Sequence, residues 1–201
     1  TGPTNMPDWQ DVPIRDMIQD AMGVRTYFDN DANGGALAEW LFGAGKGAES
    51  MIYMTLSTGI GGGLIANGQL IRGSCFSAGE VGHMVIEKDG PLCNCGQKGC
   101  YEALCGGLAI AKRLKEQLAG QDEHPIAKYA EDGKIENLDL IALEKAARDG
   151  ESLALEVWDE MCVRNAQGIG ILTNVFNPQK IVLGTIAWAA GDFFMDPVRK
   201  H

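Results

Sequence analysis

The sequence predicts an α/β or α+β domain in which helices pack against a sheet, and three observations carry that expectation. Strand-like runs come first, at Met51 to Leu56 and at Gly63 to Ala66 with Gln69 to Arg72. Helical periodicity then takes over from Tyr101, and a short strand, Lys180 to Leu183, returns near the end. The chain has 201 residues and is 45% hydrophobic, too apolar for a disordered chain and long enough for one large domain or two small ones.

Taken in order, residues 1–13 read as an irregular lead-in and Ile14 to Met22 as a short amphipathic helix. Val24 to Phe28 reads as a strand that delivers the chain to Asp29-Asn30-Asp31. Ala32 to Phe42 is expected to be a helix, because Leu37, Trp40 and Leu41 share a face and Gly43 follows. Any of Asp29, Asn30 and Asp31 has the short polar side chain that caps such a start. Asn67-Gly68, between the second and third strand runs, suits a tight hairpin turn. Residues 73–100 are rich in glycine and cysteine and are expected to be irregular. Helices are expected from Tyr101 through Leu118, ending at Gly120, then over Leu138 to Arg148 and Ser152 to Phe176, with Gly150 between them. Gly191 to Arg199 begins a last one.

The charge balance, 27 acidic against 17 basic residues, gives a net charge of -10 and disfavours a broad nucleic-acid surface. The chain has no apolar run of about 18 residues and no secretory leader pattern at its start, so a cytoplasmic protein without a membrane partner is expected. Three of the six cysteines fall within Cys93 to Cys100, too clustered for a framework of disulfides between distant segments. With His83 they make one imidazole and three thiolates, the soft tetrahedral donor set of a closed, structural Zn2+ site: His83, Cys93, Cys95 and Cys100. Cys75, Cys105 and Cys162 read as small buried hydrophobes.

Three further segments bear on chemistry. Ser57-Thr58-Gly59-Ile60-Gly61-Gly62-Gly63 offers hydroxyls and close-approach backbone to a phosphate, and equally suits a tight turn with no ligand. It lacks the lysine and following helix of a P-loop. Asp31 is placed to be a general base or to serve a helix start, while Glu80, His83 and Glu102 could accept from the hydroxyls of a sugar or be ordinary loop residues.

In this order, VRTYFDNDANGGALAEW, YMTLSTGIGGGLIANGQLIRG, SAGEVGHMVIEKDGPLCNCGQKGCYE and NVFNPQKIVLG resemble the ROK family of repressors, uncharacterised reading frames and sugar kinases. The resemblance implies an actin-like, ribonuclease H-like ATPase fold of the sugar-kinase type, with two α/β domains closing over ATP and sugar. Residues 1–30 would then be the remnant of the N-terminal domain and 31–201 the C-terminal domain, with a zinc loop over 83–100 and a phosphate loop over 57–63. It also implies a homodimer or homotetramer. Asp31 matches the family's catalytic base; Asn30, Asp31, Glu80, His83 and Glu102 match its sugar ligands. Ser57, Thr58, Gly59, Gly61, Gly62 and Gly184 match nucleotide contacts, with ATP and Mg2+ as co-substrate and glucose as the favoured hexose.

Two departures stand out. The DxGGT-type phosphate loop that opens a typical member is absent, so an N-terminal part is expected to be missing and the chain alone to be a weak catalyst. The adenosine-side run is LGTIAWAAG, where Thr185 and Ile186 stand in place of bare backbone, and Trp188 either stacks on adenine or packs internally. Rival readings are a sugar-responsive repressor and a sugar-binding module without activity.

Overall fold

Strand β1, Met51–Leu56, is apolar on both faces, and a strand of that kind belongs inside a sheet rather than at its edge. The computed structural model describes residues 9–201 and places it there. Among the described residues four strands form a mixed sheet in the order β3-β2-β1-β4. Strands β2, Ile60–Ala66, and β3, Gln69–Ile71, form an antiparallel hairpin, and β2 pairs antiparallel with β1. Asn67 and Gly68 turn that hairpin with φ of 49° and 66°, the double positive φ that favours this dipeptide. Strand β4, Lys180–Thr185, runs parallel to β1, so a long crossover must connect the two.

Alternation along β1 feeds two cores. Met51 and Tyr53, with Ile65, pack beneath helix α2, Asp31–Leu41, alongside Ala36 and Trp40. Ile52, Met54 and Leu56 face the larger core on the other side. The crossover builds that core from α3 (Tyr101–Cys105), α4 (Gly107–Gln117), α5 (Leu140–Arg148) and the long α6 (Ser152–Phe176). Asp139 and Glu151 cap α5 and α6 by accepting from Ala142 N–H and Ala154 N–H, each at 2.7 Å. After β4 the chain closes over α6 with α7, Ile186–Ala190, and α8, Asp192–Lys200, where Phe193 stacks on Trp158 at 5.2 Å. An outlying helix α1, Ile14–Met22, buries none of its residues. No helix among the described residues is long and apolar enough to cross a membrane.

Several expectations are corrected. Val24 to Phe28 forms no strand: no described strand pairs with it, and β propensity without a ladder partner stabilises nothing. The helix expected from Tyr101 to Leu118 breaks at Gly106, whose ψ of 139° is extended, because the carbonyls of Ser57 and Thr58 enter there and accept from Gly107 and Leu108 N–H at 2.8 and 3.1 Å. Strand β2 starts at Ile60, so most of the glycine run is strand rather than loop. The last helix forms as expected, over Asp192–Lys200, but an unforeseen short helix, Ile186–Ala190, precedes it across Gly191, and β4 extends to Thr185. The lead-in over 1–13 lies outside the described residues as far as residue 8.

Candidate functional site

The backbone of the 73–100 segment is irregular, as its composition predicts, and its turns bring four donor side chains together. Cys93 N–H donates to Gln97 O at 2.8 Å and Gly96 N–H to Cys93 O at 2.9 Å, folding a tight knuckle. Gly96 and Gly99 adopt φ of 90° and 75°, and a Cβ on Gly99 would lie 1.6 Å from Glu87 O. The outcome is that a ring nitrogen of His83 and the sulfurs of Cys93, Cys95 and Cys100 all lie within 4.8 Å of one another. His83 Nδ1 is 3.6 Å from Cys93 Sγ, and Cys95 Sγ is 3.6 Å from Cys100 Sγ. A tetrahedral ion with Zn–S of about 2.3 Å and Zn–N of about 2.0 Å would need edges of about 3.8 and 3.5 Å, so donor set and spacing both fit zinc.

Burial pushes the Cys100 thiol up to about 12, with the neighbouring thiols adding to it, and burial also raises Cys93. The Gln97 N–H lowers exposed Cys95. Two of the three thiols therefore resist ionisation until a cation arrives. Of the remaining cysteines, Cys105 and Cys162 are buried and burial pushes each up to about 12, which fits inert packing. Cys75 is a correction: it is exposed, because the loop after β3 runs over the surface.

His83 ends a short 3-10 turn, Val81–His83, and looks two ways. Its Nδ1 faces the sulfurs, while Nε2 is 4.0 Å from Glu80 Oε2. Glu102, on α3 directly after the Cys100-Tyr101 pair, accepts Ile60 N–H at 2.8 Å. Its carboxylate also lies 2.3 Å from where a Cβ of Gly59 would sit, so the turn at Gly59 must be glycine for Glu102 to reach the strand. Thus the four-donor cluster, the Glu80–His83 turn and Glu102 are stitched to the start of β2.

Strand β2 links this wall to α2. A Cβ on Gly63 would meet Ala36 Cβ and Ala32 O at 2.5 and 2.6 Å, and one on Gly61 would meet Ala32 Cβ at 3.3 Å. On the opposite face, a Cβ on Gly62 would meet Val81 at 2.9 Å. The glycines make the strand thin, so that the α2 start and the Val81 turn approach it from both sides; this packing role was not evident from the sequence. At the α2 start Asn30 is the cap, its Oδ1 accepting Ala32 N–H at 2.9 Å and Asn33 N–H at 3.3 Å. Exposed Asp31 accepts Ala32 N–H at 2.8 Å.

The other expected nucleotide residues lie at the C-terminal ends of β1 and β4. Ser57 and Thr58 use their carbonyls to cap α4, and Thr58 itself is exposed. Gly184 gives its side-chain space to Tyr53, whose hydroxyl is 2.5 Å from a would-be Cβ. Thr185 holds φ 54° and ψ -113°, a conformation glycine adopts far more readily, and its Oγ1 accepts Leu56 N–H at 2.9 Å. Trp188 is exposed, not packed internally.

Sequence reading missed several residues. Asp29 is not the cap; it accepts Asn30 N–H and Asn33 Nδ2 at 2.9 Å each and pairs with Arg72 Nη2 at 2.6 Å. Burial opposes its charge, yet Asn33, Arg72 and the Asn30 amide together hold its pKa below the ordinary value. Asn33 is buried with Oδ1 unpaired. Tyr101 and Asn165 are both buried and joined by a hydrogen bond of 2.6 Å. Asn165 and Gly168, one helical turn apart inside an apolar helix, were the available signal for that contact.

The sequence model of the ROK family matches residues 2–201. A glucokinase from Thermotoga maritima is 36% identical over 196 residues, covering 98% of this chain and 61% of that protein. A ROK family glucokinase from Streptomyces griseus, solved in complex with glucose and AMPPNP, superposes with a TM-score of 0.84 at 32% identity, covering 96% of this chain and 62% of that one. A xylose repressor from Caldicellulosiruptor bescii is 32% identical over 198 residues, covering 96% of this chain and 47% of that protein. The chain thus spans about three fifths of the two glucokinases, 61% and 62%. The expected α/β class and actin-like ATPase fold hold.

Proposed function

The chain belongs to the ROK family, and on that footing we propose that it supplies the base and the sugar-holding wall of an ATP-dependent hexose kinase. The carrying observation is His83, one imidazole with Nδ1 turned to three cysteine sulfurs and Nε2 turned to Glu80. That arrangement lets the metal loop fix the ring that meets the sugar. Zn2+ held by His83, Cys93, Cys95 and Cys100 supplies structural cross-linking.

In this reading glucose is the favoured acceptor, bound by Asn30, Asp31, Glu80, His83 and Glu102. An Asp31 carboxylate oxygen takes the proton of the C6 hydroxyl as the hydroxyl oxygen of the sugar attacks the γ-phosphorus of ATP. A new O–P bond forms, the bond to the β-phosphate bridging oxygen breaks, and ADP leaves with the electron pair. Ser57, Thr58, Gly59, Gly61, Gly62 and Gly184 are proposed to line the nucleotide side, where Mg2+ accompanies ATP. The glycine strand contributes by letting the Asp31 end of α2 and the Glu80–His83 turn approach β2 from opposite faces. The proposed division is at residue 30/31, in a cytoplasmic homo-oligomer.

The test is Asp31→Asn in the full-length reading frame, read by calorimetry with glucose and by a coupled phosphorylation assay. Sugar affinity should persist while turnover falls roughly 10²–10⁴-fold; undiminished turnover would remove Asp31 from the role. Running the assay with glucose, fructose, N-acetylglucosamine and N-acetylmannosamine identifies the hexose. A second reading, a sugar-responsive repressor, is favoured by the xylose repressor that matches 96% of this chain. It predicts sugar binding with no phosphorylation of any of the four sugars, whether Asp31 is present or not.

A further inference from the structure

Tyr101 lies between a proposed metal ligand, Cys100, and a proposed sugar ligand, Glu102, and its hydroxyl reaches Asn165 on α6. Its side chain is fully buried, with the hydroxyl donating to Asn165 Oδ1 on α6 at 2.6 Å. Asn165 is itself fixed, its Nδ2 donating to Met161 O at 2.8 Å one turn earlier. The ring fits a notch at Gly168, where an added Cβ would lie 2.7, 2.8 and 3.0 Å from three ring carbons. Two flanking contacts tie the same loop to α6: Gln167 Nε2 donates to Ile86 O at 2.9 Å, and Arg164 pairs with Glu87. Tyr101 N–H meanwhile donates to Met84 O at 2.8 Å, joining the stretch just after His83 to the same anchor.

We infer that Tyr101, seated in the Gly168–Asn165 notch of α6, is a positioning residue through which the helix sets the placement of Cys100 and Glu102 together. The physical reason is rigidity. A buried aromatic ring held by one short hydrogen bond and a close-packed notch cannot shift without moving the backbone on both sides of it. Cys100 and Glu102 flank that backbone, so metal affinity and sugar affinity should change in concert. The sugar arm of this inference rests on the hexose reading above; the metal arm does not.

The experiment compares Gly168→Ala with Gly170→Ala on the whole chain. Both substitutions favour a helix equally, but a Cβ at Gly170 meets no atom within 4 Å, whereas at Gly168 it meets the Tyr101 ring. Zn2+ affinity is measured by competition with a chromogenic chelator and glucose affinity by calorimetry, at a temperature where circular dichroism shows each variant folded. Gly168→Ala should weaken Zn2+ binding roughly 10–100-fold, the usual cost of disturbing the residues behind a metal's ligands. It should weaken glucose binding alongside, while Gly170→Ala leaves both unchanged. Tyr101→Phe, which keeps the ring and loses the hydrogen bond, should show the same pair of losses, smaller. A purely structural role would lower the melting temperature and leave Zn2+ affinity of the folded chain untouched, and that result overturns the inference. Equal Zn2+ affinity in the two glycine variants does the same. A wild-type chain that takes up no Zn2+ overturns this inference with the metal reading. One that takes up Zn2+ but not glucose overturns the sugar reading alone.

Discussion

Two irregular stretches of this chain are held in place by different physics. Residues 73–100 join β3 to α3 and 119–139 join α4 to α5, and their only helical pieces are short 3-10 segments, one in the first and three in the second. The second stretch inserts Ile126, Ala127, Ala130, Ile135 and Leu138 into the main core, so apolar burial anchors it along most of its length. The first sends Val81 into that core and packs half-buried Met84 and Ile86 against it, but beyond Ile86 its buried side chains are Cys93 and Cys100, in a small cluster with Ala103. Two thiols and an alanine bury little apolar area by themselves. An irregular segment needs either enough apolar side chains or a cross-linking ion; the second stretch has the apolar side chains, and the first gathers the four donors on which the zinc proposal rests.

Metal removal should separate the two regions most sharply. Structural zinc contributes about 10–16 kcal/mol in small zinc-ordered peptides, so a strong chelator should strip hydrogen-exchange protection from residues 84–100 and leave residues 126–138 protected. Equal protection in both stretches after chelation would break the comparison. The converse is Ile126→Ala, a cavity in the apolar stretch, which should cost about 2–5 kcal/mol in denaturant unfolding. Being distant in chemistry from the metal loop, it should leave Zn2+ affinity of the folded chain unchanged. A smaller effect is expected at the α2 start. Asp29 has a folded pKa below its unfolded value of about 3.9. Its contribution is therefore complete above that value and disappears as pH falls through the lower folded one. Asp29→Asn should cost roughly 1 kcal/mol at neutral pH and flatten the acid limb of a stability–pH curve; an unchanged limb would remove Asp29 and Arg72 as a brace for that helix.

The gathering of the four donors was legible because they sit close in sequence: three cysteines within Cys93 to Cys100 can hardly fold apart, and His83 ends a turn next to Gly82. The cap region was legible to within one residue, since Asp29, Asn30 and Asp31 are chemically equivalent candidates. Choosing Asn30 needed the geometry that commits Asp29 to Arg72, 43 positions away. The glycine run misled in extent. Glycine serves a turn, a ligand and a thin strand equally well in one dimension, and only the neighbours Ala32, Ala36 and Val81 reveal why Gly62 and Gly63 have no room for a side chain and Gly61 has little. The strand expected at Val24 to Phe28 failed because a strand is a property of two segments, and a local pattern reports on one.

What the sequence determined by itself, then, is whatever short-range chemistry enforces: the hairpin at Asn67-Gly68, the long α6, the donor set of the metal loop and the apolar core strand. What only the tertiary structure decided is which distant groups share a site. Glu102 reaches Ile60 N–H across 42 positions and Tyr101 reaches Asn165 across 64. Such pairings depend on how helices stack on the sheet, and stacking is fixed by the packing of many side chains at once rather than by any one stretch of chain.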